Sequence, residues 1–231
     1  MCTLSWFLTD QGYELFFTRD EQQTRSRAIP PSIDSVKDSI YPIDPDGKGT
    51  WIALHRSGMA LCILNEYQSH SPNQPLISRG KLILDLIDKP DVSIQLKSTD
   101  LQHYAPFKLC LFPAALNLNN PIAVQAFVWN GDTLSTIQQN APAMSSAVTW
   151  KEVQKDRLAS WNILAKQPDR TSLFNFHRSH QPKKGKGSVC MHRNDASSQS
   201  LSHLVVAKNT RDFYYYDGPP CETDDFVVAK F

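Results

Sequence analysis

The chain predicts an α+β fold of two antiparallel sheets with helices packed on their outer faces. Three observations carry that expectation. Apolar runs return on themselves across short turns as hairpins. Helical periodicity is confined to two separate blocks, so the order runs strands, helices, strands, helices, strands. The regular strand–helix alternation that a parallel sheet requires is not there.

Thr3 to Leu8 reads as the first strand, Thr9-Asp10-Gln11-Gly12 as its turn, and Tyr13 to Thr18 as the returning strand. Pairing Leu8 with Tyr13 puts Cys2, Leu4, Trp6 and Leu8 on one face, opposite Arg19, Phe17, Leu15 and Tyr13. A slip of one residue would scatter this apolar set over both faces. Gln22 to Gly49 contains Pro30-Pro31, Pro42, Pro45 and Asp46-Gly47. It lacks periodicity and reads as a long surface loop that rims a site. Thr50 to Leu54 and Met59 to Leu64 form a second hairpin, ending at Asn65-Glu66. Ile77 to Ile87 carries a helical stripe of Ile77, Leu82, Ile83, Leu86 and Ile87. Pro90 stops it, and a weaker helical segment precedes Tyr104.

Phe107 to Phe112 and Ile122 to Trp129 are strands, the second joined through Asn130-Gly131 to Thr133 to Gln138. Thr149-Trp150-Lys151-Glu152 has the form of a capping box. The helix behind it runs to about Lys166 with Val153, Leu158, Trp161 and Leu164 inward, and Pro168 ends it. Leu173 to His177 reads as a short helical turn and Arg178 to Lys186 as a basic loop. Ser188 to His192, Leu201 to Ala207 and Phe213 to Tyr216 complete the strands. The whole, 1–231, reads as one domain.

The chemistry concentrates at the N-terminus. Were Met1 removed, Cys2 would carry a thiol and a free α-amino group on one carbon. Such an amine can accept the proton that the nucleophile loses. Both groups titrate near neutrality, at about 7.7–8.0 and about 8.5. The hairpin register sets the Arg19 guanidinium beside the Cys2 thiol, where it would favour the thiolate. Asp20 falls just past Cys2, level with the new amine. The same hairpin also reads as an ordinary core ribbon ending in a surface Arg-Asp-Glu turn.

Composition narrows the function classes. With 24 basic and 23 acidic residues among 231, the chain has no global field for nucleic acid or a membrane surface. No run approaches a transmembrane helix, and the N-terminus lacks the pattern of a signal peptide. Five widely spaced cysteines without a Cys-x-x-Cys point to reduced thiols and a cytoplasmic location.

Several short motifs occur together in a fixed order. Met1-Cys2 is followed by Thr18-Arg19-Asp20-Glu21, Gly49-Thr50-Trp51-Ile52-Ala53-Leu54, Leu64-Asn65, Ser78-Arg79-Gly80 and Ser188-Val189-Cys190-Met191-His192-Arg193. From Met1 to about Tyr216 the chain resembles the NRDE family, also called the transport and Golgi organisation protein 2 family. That family is similar to N-terminal-nucleophile hydrolases of the choloylglycine hydrolase and penicillin acylase type. The resemblance implies a four-layer αββα sandwich. It implies Cys2 as nucleophile, Arg19 and Asp20 as the pair that polarises the thiol and holds the amine, and Asn65 as an oxyanion donor. Thr18 stands where the motif has asparagine. Ser146 stands where a second asparagine is expected, and Gln199 lies nearest the position of a late arginine.

Two functions follow from the resemblance. The first is an amidohydrolase of non-peptide carbon–nitrogen bonds, acting on a small-molecule amide without a cofactor. The alternative is a non-catalytic protein that binds or traffics an apolar or haem-like ligand or acts in lipid or acyl-CoA metabolism. Elsewhere, Cys190-x-His192 offers two metal ligands on one strand face with no second pair nearby, so no metal is expected, since zinc takes three or four protein ligands. Cys62 and Cys110 read as core, and Lys183-Lys184-Gly185-Lys186 as a solvated loop.

Overall fold

The computed structural model describes residues 1–69 and 77–231. The first hairpin is β1 (Cys2–Thr9) and β2 (Gly12–Gln22), in the register that alternation predicts: Cys2 pairs with Arg19, Leu4 with Phe17, Trp6 with Leu15 and Leu8 with Tyr13. Leu4, Trp6, Tyr13, Leu15 and Phe17 enter one apolar core, while Phe16 on the opposite face enters another.

The hairpin lies inside a six-stranded sheet, flanked by β10 (Ala143–Ser145) and β11 (Ala196–Ala207) and continued by β12 (Thr210–Tyr216) and β13 (Val227–Lys230). The second sheet has seven strands in chain order: β3 (Ile29–Asp34), β4 (Ser39–Ile43), β5 (Ile52–His55), β6 (Ala60–Asn65), β7 (Phe107–Phe112), β8 (Gln125–Trp129) and β9 (Leu134–Gln138). All pairings within both sheets are antiparallel. Trp6 meets Phe112 edge-on at 5.0 Å, which locks the sheets face to face. Helices α1 (Arg79–Leu86) and α2 (Val92–Ser98) lie against the seven-stranded sheet and bury Leu82, Ile83, Leu86 and Leu96. Helices α3 (Trp150–Leu164) and α4 (Arg170–Arg178) lie on the other side, where Leu173 and Phe176 pack with Phe16 and Leu201. The layers are therefore helix, sheet, sheet, helix.

Four local expectations are corrected. Gln22 to Gly49 is not one loop: it holds β3 and β4. Its prolines hid the strands, because Pro30 and Pro31 sit on an edge strand with an interrupted register, where a missing N–H costs no ladder bond. Ser188 to His192 is not a strand; its backbone bonds to Ser179 and Ser198 instead. Thr149 caps nothing with its side chain, because it sits at φ +37°, and Glu152 pairs with Lys186 at 2.9 Å. The capping box belongs to α4, where Asp169 and Ser172 satisfy one another's backbone. On α3 the buried residues are Val153, Arg157 and Ser160, whereas Leu158 is exposed.

Candidate active site

Cys2 opens β1 and is held from both sides, by Arg19 of β2 and Ser145 of β10. Its backbone N–H donates to Ser145 Oγ at 3.1 Å. Met1 extends the ladder: its amine donates to the Asp20 carbonyl at 3.2 Å, and its carbonyl accepts from Asp20 N–H at 2.9 Å. Cys2, Arg19, Asp20 and Asn65 all line one cleft of about 480 Å³, together with Met1, Trp51, Tyr67 and Arg79. Asp44, Gly47 and Gly49 form part of its wall, so the segment after Gln22 does rim the site.

The Cys2 thiol does not have the environment that its neighbour alone suggests. Burial pushes its pKa above the ordinary thiol value. The N-terminal ammonium, the Asp20 backbone amide and the Arg19 guanidinium oppose that rise, and the Asp20 carboxylate adds to it. Arg19 thus acts in the expected direction and is outweighed. Its guanidinium is also shared: it donates to Glu21 Oε2 at 3.1 Å, lies 3.7 Å from Asp44 Oδ2, and stacks over Trp51 at 4.6 Å.

Asp20 reaches the N-terminus through its backbone. Its carboxylate points elsewhere, accepting from Ser198 Oγ at 2.6 Å and from Arg157 Nη2 at 3.1 Å. Arg157 is fully buried and also donates to Thr3 Oγ1 at 2.6 Å. This ion pair clamps α3 onto β1 and β2 behind Cys2. Asn65 ends β6 with its side chain in the cleft, and Nδ2 donates to Tyr67 Oη at 2.5 Å. A second amide hydrogen on Nδ2 remains for another acceptor.

The three positions that depart from the family pattern, Thr18, Ser146 and Gln199, do not line the cleft. Thr18 faces α4, its Oγ1 2.7 Å from His177 Nδ1. Ser146 is fully buried and closes a local turn by donating to the Val148 carbonyl at 2.6 Å; its Oγ also contacts Met1 Sδ. Gln199 donates to Ser197 Oγ at 2.7 Å and lines a small adjoining pocket with Arg27 and Tyr215, which shares Arg19 and Arg25 with the cleft.

Sequence reasoning missed Arg157 and Arg79 as parts of this site. Arg157 lies four residues after Val153, on the same helix face, so the stripe pointed to it even though a charged residue was not expected inward. Arg79 lies in the first turn of α1 and donates to the Pro106 carbonyl at 3.1 Å. It reaches the cleft because two glycines let backbones touch: Thr50 N–H donates to the Gly80 carbonyl at 3.1 Å, and a Cβ on Gly49 or Gly80 would collide with the opposing main chain. A second group of ligand-type side chains, His180, Cys190, His192 and Cys221, lies outside the cleft with ligand atoms within 4.8 Å of one another.

The two-sheet architecture is that of the N-terminal-nucleophile hydrolases. Penicillin V acylase from Agrobacterium tumefaciens superposes with a TM-score of 0.56 at 11% identity, covering 100% of this chain and 86% of that one. The C2A mutant of conjugated bile acid hydrolase from Clostridium perfringens gives 0.54 at 13% identity, covering 100% and 92%. An N-acylethanolamine-hydrolyzing acid amidase ortholog from Caenorhabditis elegans gives 0.56 at 10% identity, covering 87% and 92%. At these identities the likeness is one of fold. The chain belongs to the Transport and Golgi organisation 2 family, whose family model matches residues 1–215. No curated protein sequence matches it significantly. Among the described residues, no helix is long and apolar enough to cross a membrane.

Proposed function

We propose that the protein is an N-terminal-cysteine amidohydrolase that cleaves a non-peptide carbon–nitrogen bond of a small amide after Met1 is removed. One observation carries this reading: Cys2, Arg19, Asp20 and Asn65, drawn from β1, β2 and β6, line a single cleft. Removal of Met1 turns the Cys2 N–H that now meets Ser145 Oγ into the α-amine, already held by a hydroxyl. It also frees the Asp20 N–H from the Met1 carbonyl.

In the reaction the Cys2 thiol gives its proton to that amine and attacks the substrate carbonyl carbon. The oxyanion accepts hydrogen bonds from Asn65 Nδ2 and a backbone N–H, a kind of donor whose loss costs roughly 10²–10³ in rate. The amine returns the proton to the leaving nitrogen, and water hydrolyses the thioester. Arg157 and Ser198 hold the Asp20 carboxylate so that β2 keeps its place beside the amine. The charged lining of Arg19, Arg25, Arg79, Glu21 and Asp44 favours a polar amide over a haem or lipid cargo. A cytoplasmic location, where thiols stay reduced, goes with this reading.

The test is intact mass on the purified native chain, followed by trapping of an acyl adduct on Cys2 with a panel of N-acyl amides. The expected result is loss of Met1 and a thioester that C2S cannot form. Retention of Met1 on the native protein would overturn the proposal.

A further inference from the structure

The sequence presents Cys190-x-His192 as a lone pair of potential ligands. Folding supplies the missing two. The segment after α4 contributes His180, the loop before β11 contributes Cys190 and His192, and the segment after β12 contributes Cys221. We propose that these four side chains hold one structural Zn²⁺ in a closed tetrahedral Cys₂His₂ shell.

The distances suit such an ion. His192 Nε2 lies 3.5 Å from Cys190 Sγ and 3.3 Å from Cys221 Sγ. With Zn–S near 2.3 Å and Zn–N near 2.0–2.1 Å, the edges of a zinc tetrahedron are about 3.3–3.8 Å. All four ligand atoms already lie within 4.8 Å of one another, so the shell closes with small side-chain adjustments. An independent observation points the same way: His180 Nε2 is buried and has no hydrogen-bond partner among the described residues, a cost that metal ligation removes. The His180 and His192 rings sit 5.1 Å apart at 69°, splayed as two ligands around one centre require.

The donor set selects the metal and its role. Two thiolates with two imidazoles suit zinc, and four protein ligands leave no open position for substrate or water. Binding releases one proton from each thiol to solvent, so two thiolates balance the charge of the ion. The ion staples three segments that share no sheet ladder at this point. It also steadies the loop behind the nucleophile, since Met191 N–H donates to Ser198 Oγ at 2.8 Å and Ser198 donates to Asp20. The site stands whether or not Cys2 turns over an amide.

The test uses the full chain purified without chelator. Elemental analysis should find one zinc per chain, and Co²⁺ exchanged into the site should give the intense visible bands of tetrahedral S₂N₂ coordination. C221S and H180Q, at half-buried positions, should lose the zinc on dialysis and shift the cobalt spectrum, whereas C2S should keep both. Chelator should lower the melting temperature of the wild type and leave that of C221S unchanged. An octahedral cobalt spectrum, undiminished zinc in both ligand variants, or a Cys190–Cys221 disulfide in protein purified anaerobically would each overturn the proposal.

Discussion

At the scale of single residues, the Arg157–Asp20 pair is costly to disturb. Both side chains are fully buried, and the charge of each is balanced by the other. Replacing one partner leaves the other desolvated, which costs about 3–5 kcal/mol in comparable buried pairs. R157M should therefore lower unfolding free energy by that amount in urea titrations, and D20N/R157M together should cost less than R157M alone. Cys2 makes a second prediction. Burial holds its thiol above the ordinary value while Met1 is attached, so the thiolate is scarce at neutral pH. In Met1-retaining protein, iodoacetamide labelling of Cys2 should rise only at a pH above about 8.5, the usual thiol midpoint. Removal of Met1 should bring that midpoint down, as peptide mass spectrometry of each form will show.

At the scale of elements, α4 is fastened to the first hairpin through polar groups. Arg170 grips Glu14 with two hydrogen bonds, at 2.9 and 2.7 Å. His177 bridges Ser5 and Thr18, its two ring nitrogens each 2.7 Å from a hydroxyl. Thr18 therefore serves the joint between helix and sheet. Burial, and then the charge of Arg157, push the His177 pKa down to about 3. A histidine depressed in the folded state stabilises fully above its unfolded pKa of about 6.5 and loses that contribution as pH falls towards 3. Unfolding free energy should drop through this window by up to about 1.4 kcal/mol per pH unit from this group. H177Q should flatten that slope in denaturant titrations at graded pH. On the other sheet, the Gly49–Gly80 contact places α1. G80A forces its Cβ into the Thr50 backbone, and overpacking of this kind costs about 1–3 kcal/mol. The thermal transition should fall accordingly.

At the scale of the whole molecule, the two sheets are joined by their inner faces and closed along one side by the C-terminal strand. β13 covers the edge of β12, with Lys230 paired to Asp212 at 3.2 Å, and it also approaches β3 of the other sheet. Phe231 lies under the Arg56 guanidinium at 4.3 Å. Deleting Val227 to Phe231 would bare the β12 edge, a template for pairing with another chain. Light scattering should show a larger species for the truncated protein, and unchanged monodispersity would count against this role. The Cys2 cleft draws on both sheets and on α1, so it depends on this docking rather than on any one element.

The sequence by itself determined the first hairpin, its register and the place of Cys2 beside Arg19. Period-two alternation is local, and only one register buries Leu4, Trp6, Leu15 and Phe17 together. It also marked Asn65 at the end of an apolar run, and the sheet–helix order of the whole chain. Only the tertiary structure decided what those residues touch. The Asp20 carboxylate is held by Arg157 from a helix far along the chain, and Arg19 is drawn to Glu21 and Asp44. Proline-bearing β3, an edge strand, and β4 beside it became visible only through their neighbours, because pairing defines such a strand more than its composition does. The same holds for His180 and Cys221, which meet Cys190 and His192 because separate segments end at one corner of the fold. Local pattern dictates which face a side chain takes; the docking of distant elements dictates what stands opposite it.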